Sequence, residues 1–292
     1  MKIISSEQMR EIDAFTIKSG QITGKELMYR AGIKIAEEIL AYTKIYWPCY
    51  FKRFVFLAGK GNNGGDAYVA ANYLFEKYNC NIIVLSISDA DKLTEDARYY
   101  ALKLNPLIKH EVNEKLHDSV FMEGDIIIDG LLGTGFTGEI KPPYRSWIET
   151  VNKQNKPVIA IDIPSGLNAT TGKGFGIIAD LTITVGLPKV GFFINDGVNA
   201  TGKIITVDIG FPDEYIRQVK SRLELYDLAR ASSFINRTPC DIHKKSKGSV
   251  LVIGGSKYYK GAPILSALSA LKSGAGLVTV AIPASSEISS GG

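Results

Sequence analysis

The sequence predicts an α/β fold on a mostly parallel sheet, from three observations. Short, largely apolar runs recur from Arg53 to Val207, helical stretches separate the earlier ones, and a cluster of glycines follows the first run. Strands apolar at every position must be covered on both faces, and strands that alternate with helices require right-handed crossovers.

Each element follows in order. Ser5 with Gln8, and Thr23 with Glu26, have the spacing of capping boxes and open two helices. Met9, Ile12 and Phe15 give the first helix an apolar stripe, and Leu27, Ala31, Ile35 and Ile39 give the second one. Such stripes suit either a core or a dimer face. Strands are expected at Arg53–Ala58, Asn81–Ile87, Asp125–Asp129, Pro157–Ile161, Leu181–Val185 and Lys203–Val207, with a weaker one near Ile108. Helices are expected at Asp66–Tyr78, with Asp66 as N-cap, and at Thr94–Leu104 and Pro142–Gln154. A looser, charged stretch follows Gly210. A second unit then reads as strand Ser249–Ile253, helix Ala262–Lys272 and strand Leu277–Ala281, one βαβ unit too small to close a core of its own.

Composition narrows the function. The chain has 292 residues, 45% of them hydrophobic and 22% charged, with a formal net charge of +4. That profile is of a globular protein, and lysines this scattered argue against a nucleic-acid partner. Cys49, Cys80 and Cys240 are odd in number and unpaired in spacing, which suggests reduced thiols in a cytoplasm. His110, His117 and His243 lack zinc spacing. No signal-peptide core or membrane-spanning run is visible, and Ser289–Gly292 reads as a loose end.

Ligands of parallel sheets bind beyond the carboxyl ends of the strands, so the residues following each strand carry the chemistry. After the first strand come Gly59, Gly61, Asn62, Asn63, Gly64, Gly65 and Asp66; main-chain amides at a helix start here suit a phosphate. Gly59-x-Gly61-x-x-Gly64 formally matches a dinucleotide fingerprint, with Asp89 placed for a ribose. An oxidoreductase is one reading, but no Ser/Tyr-x-x-x-Lys set follows. Asp129 and Asp162 each end a strand. Either could merely cap a turn; together, beside an amide and Ser165, they offer hard oxygen ligands and a proton carrier. Lys189 reads as a surface lysine, or as one that helps hold phosphate.

Taken together, these motifs resemble the NAD(P)HX epimerase domain of the bifunctional NAD(P)H-hydrate repair enzymes. The matching residues are Ser6-Glu7-Gln8-Met9-Arg10 with Asp13, Leu27-Met28 with Ala31-Gly32, the loop Gly59 to Asp66, Asp129-Gly-Leu-Leu-Gly-Thr-Gly135, and Asp162-Ile-Pro-Ser-Gly166. Position 67 is Ala where that family often has glycine, a change expected to be tolerated. The resemblance implies a Rossmann-like three-layer αβα sandwich that interconverts the epimers of hydrated NADH or NADPH. It implies substrate contacts from Asn62, Asn63, Gly64, Gly65, Asp66, Gly133, Thr134, Gly135, Phe136, Thr137, Gly138, Glu139 and Asp162. It further implies Asp162 as the catalytic residue, a potassium ion on Asn63, Asp129 and Ser165, and a homodimer. A non-catalytic scaffold of the same fold is the alternative.

Residues His243 to Pro283 resemble the start of the ribokinase-like NAD(P)HX dehydratase domain, through Lys247-Gly248, Gly254-Gly255-Ser256, Gly261-Ala262 and Gly274-Ala275-Gly276. The expected organisation is 1–215 epimerase domain, 216–242 linker and 243–292 partial dehydratase domain, with no dehydratase activity.

Overall fold

The computed structural model describes residues 1–19, 22–48, 52–226, 228–234, 239 and 241–284. Cys49, Cys240 and the stretch Ser289–Gly292 lie outside these residues; Cys80 is a buried free thiol. The chain forms two compact units, Met1–Leu225 and Tyr226–Gly292.

In the first unit the elements run β1 (Lys2–Ile3), α1 (Ser6–Lys18), α2 (Gly24–Tyr46), β2 (Arg53–Ala58), α3 (Asn62–Tyr78), β3 (Ile82–Ser86) and α4 (Glu95–Leu102). They continue with β4 (Lys109–Val112), β5 (Asp125–Gly130), α5 (Tyr144–Lys153), β6 (Val158–Ile161), β7 (Leu181–Val185), α6 (Gly197–Ala200), β8 (Lys203–Val207), α7 (Asp213–Gln218) and β9 (Leu223–Glu224). Seven strands pair in the order β4-β3-β2-β5-β6-β7-β8, every pair parallel. The chain moves outward from β2 in one direction and from β5 in the other. The β2/β5 junction is thus the switch point, where an open parallel sheet leaves a crevice for ligand.

Side chains alternate between two cores, as the pleat dictates. Phe54, Phe56, Ile126, Ile128, Ile159 and Ile161 pack with Met9, Ile12, Leu27, Ala31, Ile35 and Ile39 of α1 and α2. Val55, Leu57, Ile127, Val158 and Ala160 pack with Trp147, Ile148 and Val151 of α5 on the other face. Complete burial of each large apolar side chain stabilises the fold by about 1.5–3 kcal/mol. The α1 and α2 stripes that could have served a dimer thus bury themselves within the chain. Phe15 departs from its stripe: it is exposed and stacks on Tyr215, ring centroids 4.1 Å apart.

Local signals explain most boundaries. Ser5 makes the full capping box with Gln8, and the Thr23 side chain accepts from the Glu26 amide. Arg53 donates Nε and Nη2 to the two oxygens of Asp125, at 2.9 and 2.7 Å, and so locks the β2/β5 register. One boundary corrects the sequence reading: α3 opens at Asn62 with Gly61 as N-cap, so Asp66 lies inside the helix and is not its cap. At the far end, β9 pairs antiparallel with β1, so the first unit continues into the stretch read as linker.

The second unit contains α8 (Leu228–Ser232), β10 (Ser249–Ile253), α9 (Gly261–Lys272) and β11 (Leu277–Ala281), with β10 and β11 parallel. No helix among the described residues is long and apolar enough to cross a membrane.

Candidate active site

The loops after β2, β5 and β6 meet around a cavity of about 580 Å³, a size suited to a small ligand. Gly61, Asn62 and Asn63 line it from the start of α3; Leu131 to Phe136 from the loop after β5; Asp162 from the end of β6; and Met9, Arg10, Asp13 and Ile17 from α1.

Glycines bring the first two loops together. A Cβ on Gly59 would stand 1.7 Å from the Leu131 carbonyl oxygen, and one on Gly64 would stand 2.1 Å from the Gly59 carbonyl. Gly65 faces Met28, whose Sδ would be 2.4 Å from an added Cβ. Gly64 and Gly65 therefore serve close packing, and neither is part of the cavity lining. Thr137, Gly138 and Glu139 are exposed and also stand outside its lining, while Gly133, Thr134, Gly135 and Phe136 belong to it. Asp89 is exposed, 3.6 Å from Lys92, and not part of the cavity wall.

Asp129 and Ser165 form a buried knot beneath the β5 loop. Ser165 donates its amide to Asp129 Oδ2 at 2.8 Å and its hydroxyl to Oδ1 at 2.5 Å, and it accepts from the Leu132 amide at 2.8 Å. Burial still pushes the Asp129 carboxyl up to about 6. Beside this knot Asn63 donates Nδ2 to the Leu132 carbonyl at 3.0 Å, while its Oδ1 is buried with no hydrogen-bond partner among the described residues. A buried acceptor left without a donor costs about 1–3 kcal/mol, and a cation would satisfy it. The expected oxygen set of Asn63, Asp129 and Ser165 thus fits a hard cation such as potassium.

Asp162 sits in the left-handed region, with φ of 61°. Its Oδ1 accepts from Lys189 Nζ at 2.6 Å and from the Val185 amide at 3.2 Å. Lys189 corrects the sequence reading most sharply. It is fully buried, not a surface lysine, and it also donates to Thr184 Oγ1 at 2.6 Å and to the Val185 carbonyl at 3.0 Å. The N-terminal segment fixes the Lys189 loop: Ile4 donates its amide to the Pro188 carbonyl at 3.0 Å, and Val190 returns one to Ile4 at 2.9 Å. The same segment leads directly into α1 and so places Asp13.

Asp13 and Asp66 face the same cavity, and neither carboxyl makes a hydrogen bond or ion pair with another described residue. Burial, reinforced by the Asp162 charge and opposed by Lys189, pushes the Asp13 carboxyl up to about 7. Burial, then the charges of Asp162 and Asp13, hold Asp66 well above the usual carboxylate range. The site therefore gathers three carboxyls around one buried ammonium. In the sequence Asp13 is singled out only as part of the family resemblance, with no role attached to it.

Comparison with known proteins places this arrangement. The YjeF-related protein N-terminus family matches residues 24–191, and an NAD(P)H-hydrate dehydratase family matches residues 250–290. The bifunctional NAD(P)H-hydrate repair enzyme Nnr of Dictyoglomus turgidum is 34% identical, over 97% of this chain and 55% of its own length. The enzymes of the same name from Moorella thermoacetica and Hyperthermus butylicus are 32% and 37% identical, each over 97% of this chain and over 54% and 51% of their own lengths. The chain thus spans about half the length of the curated relatives it matches. The crystal structure of the yeast protein ynu0 superposes with a TM-score of 0.64 at 20% identity, over 79% of this chain and 98% of that one, and shares the fold. By sequence match over more than half its length, the chain belongs to the family of YjeF-related protein N-terminal domains.

Proposed function

We propose that the first unit epimerises hydrated nicotinamide dinucleotides, NADHX or NADPHX, as part of nicotinamide repair. The observation that carries the reading is the Asp162–Lys189 pair opening on a cavity at the switch point of the sheet. The repair activity in the names of the relatives supports the same substrate class.

In the hydrate a hydroxyl stands on a carbon next to the ring nitrogen. The nitrogen lone pair can expel it, and water can return on the opposite face. Asp162 would exchange protons with that oxygen, an effect typically worth about a hundred- to ten-thousand-fold in rate. Lys189 Nζ pairs with Asp162 Oδ1 at 2.6 Å, and Asp162 Oδ2 takes no hydrogen bond from the described residues. The first amides of α3, beside Asn62 and Asn63, lack helical acceptors and suit a substrate phosphate. Potassium, held by Asn63, Asp129 and Ser165, would supply a fixed positive charge that ties the β5 loop to α3. A homodimer would need a surface other than the buried α1 and α2 stripes, and a reducing cytoplasm is the proposed setting.

The test is the rate at which the chain equilibrates R-NADHX with its S epimer, first in potassium and then in sodium, against the spontaneous rate. We expect acceleration that weakens in sodium and falls at least about a hundredfold in Asp162→Asn. A folded chain that leaves the spontaneous rate unchanged would instead be a binding scaffold.

A further inference from the structure

The α1 face that lines the cavity is built from residues one turn apart: Met9, Asp13 and Ile17 follow i, i+4 spacing, with Arg10 beside them. Glu7 and Glu11 of the same helix do not line it; Asp13 is the carboxyl that α1 aims inward. Buried polar groups normally have hydrogen-bond partners, and an unpaired carboxyl facing a cavity is one left for a ligand. Asp13 enters from the helical layer, whereas Asp162 enters from the end of a sheet strand, so the two reach the cavity from different walls.

Epimerisation gives this placement a use. The hydroxyl leaves one face of the ring and water arrives at the other, and a single carboxyl fixed on one wall serves only one of these faces. We propose that Asp13 is a second catalytic residue of this site, exchanging a proton with the oxygen on one face of the ring while Asp162 serves the other. The inference rests on the epimerase reading above. In one direction Asp13 gives its proton to the departing hydroxyl, the carbon–oxygen bond breaks, and the nitrogen lone pair forms a carbon–nitrogen double bond. Water then adds on the opposite face, the double-bond electrons return to nitrogen, and Asp162 takes the water's extra proton. Solvent at the cavity mouth resets both carboxyls, and the reverse reaction exchanges their roles. No electrons are gained or lost.

Asp66 is less suited to this task. It lies on α3, where burial and the charges of Asp162 and Asp13 hold its carboxyl well above the usual carboxylate range. Asp13 changes state near pH 7. The charged groups facing it are Arg10 on its own helix, Asp66 on α3, Asp96 on α4, and Asp162 with Lys189 at the sheet edge.

The experiment measures kcat and KM for R-NADHX epimerisation across the neutral pH range in the full chain, Asp13→Asn and Asp66→Asn. Asp13→Asn is expected to lower kcat by about a hundredfold or more with little change in KM, and to remove the limb of the profile that falls as Asp13 ionises. Asp66→Asn should keep that limb. Burial raises the folded-state value of Asp13, so its ionisation opposes folding as pH rises from the unfolded value to about 7. Asp13→Asn should therefore unfold no more easily than the wild type at alkaline pH. Should it fail to fold, Asp13→Glu keeps the carboxyl and must displace the alkaline limb; an unmoved limb overturns the proposal. Wild-type turnover in Asp13→Asn, or a lowered kcat with the limb intact, overturns it and leaves the epimerase reading standing. A wild-type chain without epimerase activity removes both.

Discussion

Strands β2 and β10 read alike in sequence, yet they live in different surroundings. Phe54-Val55-Phe56-Leu57-Ala58 lies between two parallel neighbours and is covered by helices on both faces, and each of these residues is fully buried. Val250-Leu251-Val252-Ile253 pairs with β11 alone, and Leu251 and Ile253 are 60% and 77% exposed. Local pattern is enough to make a strand; it does not make a core. The difference extends to charge. In the first unit Lys189 is buried and paired with Asp162, which lines the cavity, while Lys272 of α9 is exposed. Only the unit whose layers close can hold carboxyls away from water, and that is where proton chemistry becomes available.

The largest expected effect tests this difference through charge. Lys189→Met leaves the Asp162 carboxylate without its ammonium partner, and breaking a buried pair in this way costs about 3–5 kcal/mol. Lys272→Met should stay within about 0.5 kcal/mol, as surface substitutions do. Urea unfolding followed by circular dichroism measures both. Pairing Lys189→Met with Asp162→Asn should recover much of the loss, because no bare charge then remains. Equal and small losses at the two lysines would mean that the first unit gains nothing from enclosing its pair.

How far the sequence went can be judged from the same residues. The strands were legible because a short, largely apolar run has one common use in an α/β protein, and eight of the expected strands match to within a residue at each end. The meeting of the β2, β5 and β6 loops was legible from the sheet rule alone. What escaped depended on contacts distant in sequence. Gly64-Gly65 reads as a turn, yet it continues a helix, because the Gly59 carbonyl and Met28 leave no room for side chains there. That misplaced Asp66 by a turn. Lys189 reads as solvated because nothing nearby in sequence neutralises it; its partner lies 27 residues earlier. Asp13 enters the sequence reading only through the family resemblance; that it lines the cavity emerges from the fold, with the N-terminal segment clamped to the Lys189 loop.

A middle-sized effect sharpens the comparison through packing. Ile128 is fully buried in β5, and Ile128→Ala should cost about 2–5 kcal/mol through lost transfer energy and the cavity left behind. Leu251→Ala removes a side chain that is already mostly in water and should cost less than about 1 kcal/mol. Ile128 belongs to the first compact unit and Leu251 to the second, so Ile128→Ala should shift the main unfolding transition and Leu251→Ala should leave it in place. A Leu251→Ala loss as large as that of Ile128→Ala would mean that β10 is covered in solution.

The smallest expected effect is the most informative about division of labour. All cavity-lining residues lie between Met9 and Ile209, and the first unit closes its own chain by pairing β9 with β1 and by hydrogen bonds from the Met1 amino group to the Leu225 carbonyl, 2.9 Å, and from the Leu225 amide to the Met1 carbonyl, 2.7 Å. A chain ending at Leu225 should therefore equilibrate the epimers at the same rate per mole and unfold at the same denaturant concentration as the full chain. By the same logic, adding ADP and S-NADHX to the full chain should yield no NADH, since among the described residues of the second unit Leu251, Leu265 and Leu268 are exposed. NADH formation, or loss of epimerisation on removing residues 226–292, would break the separation. Either result would show that the second unit contributes chemistry or support that its exposed strands do not suggest.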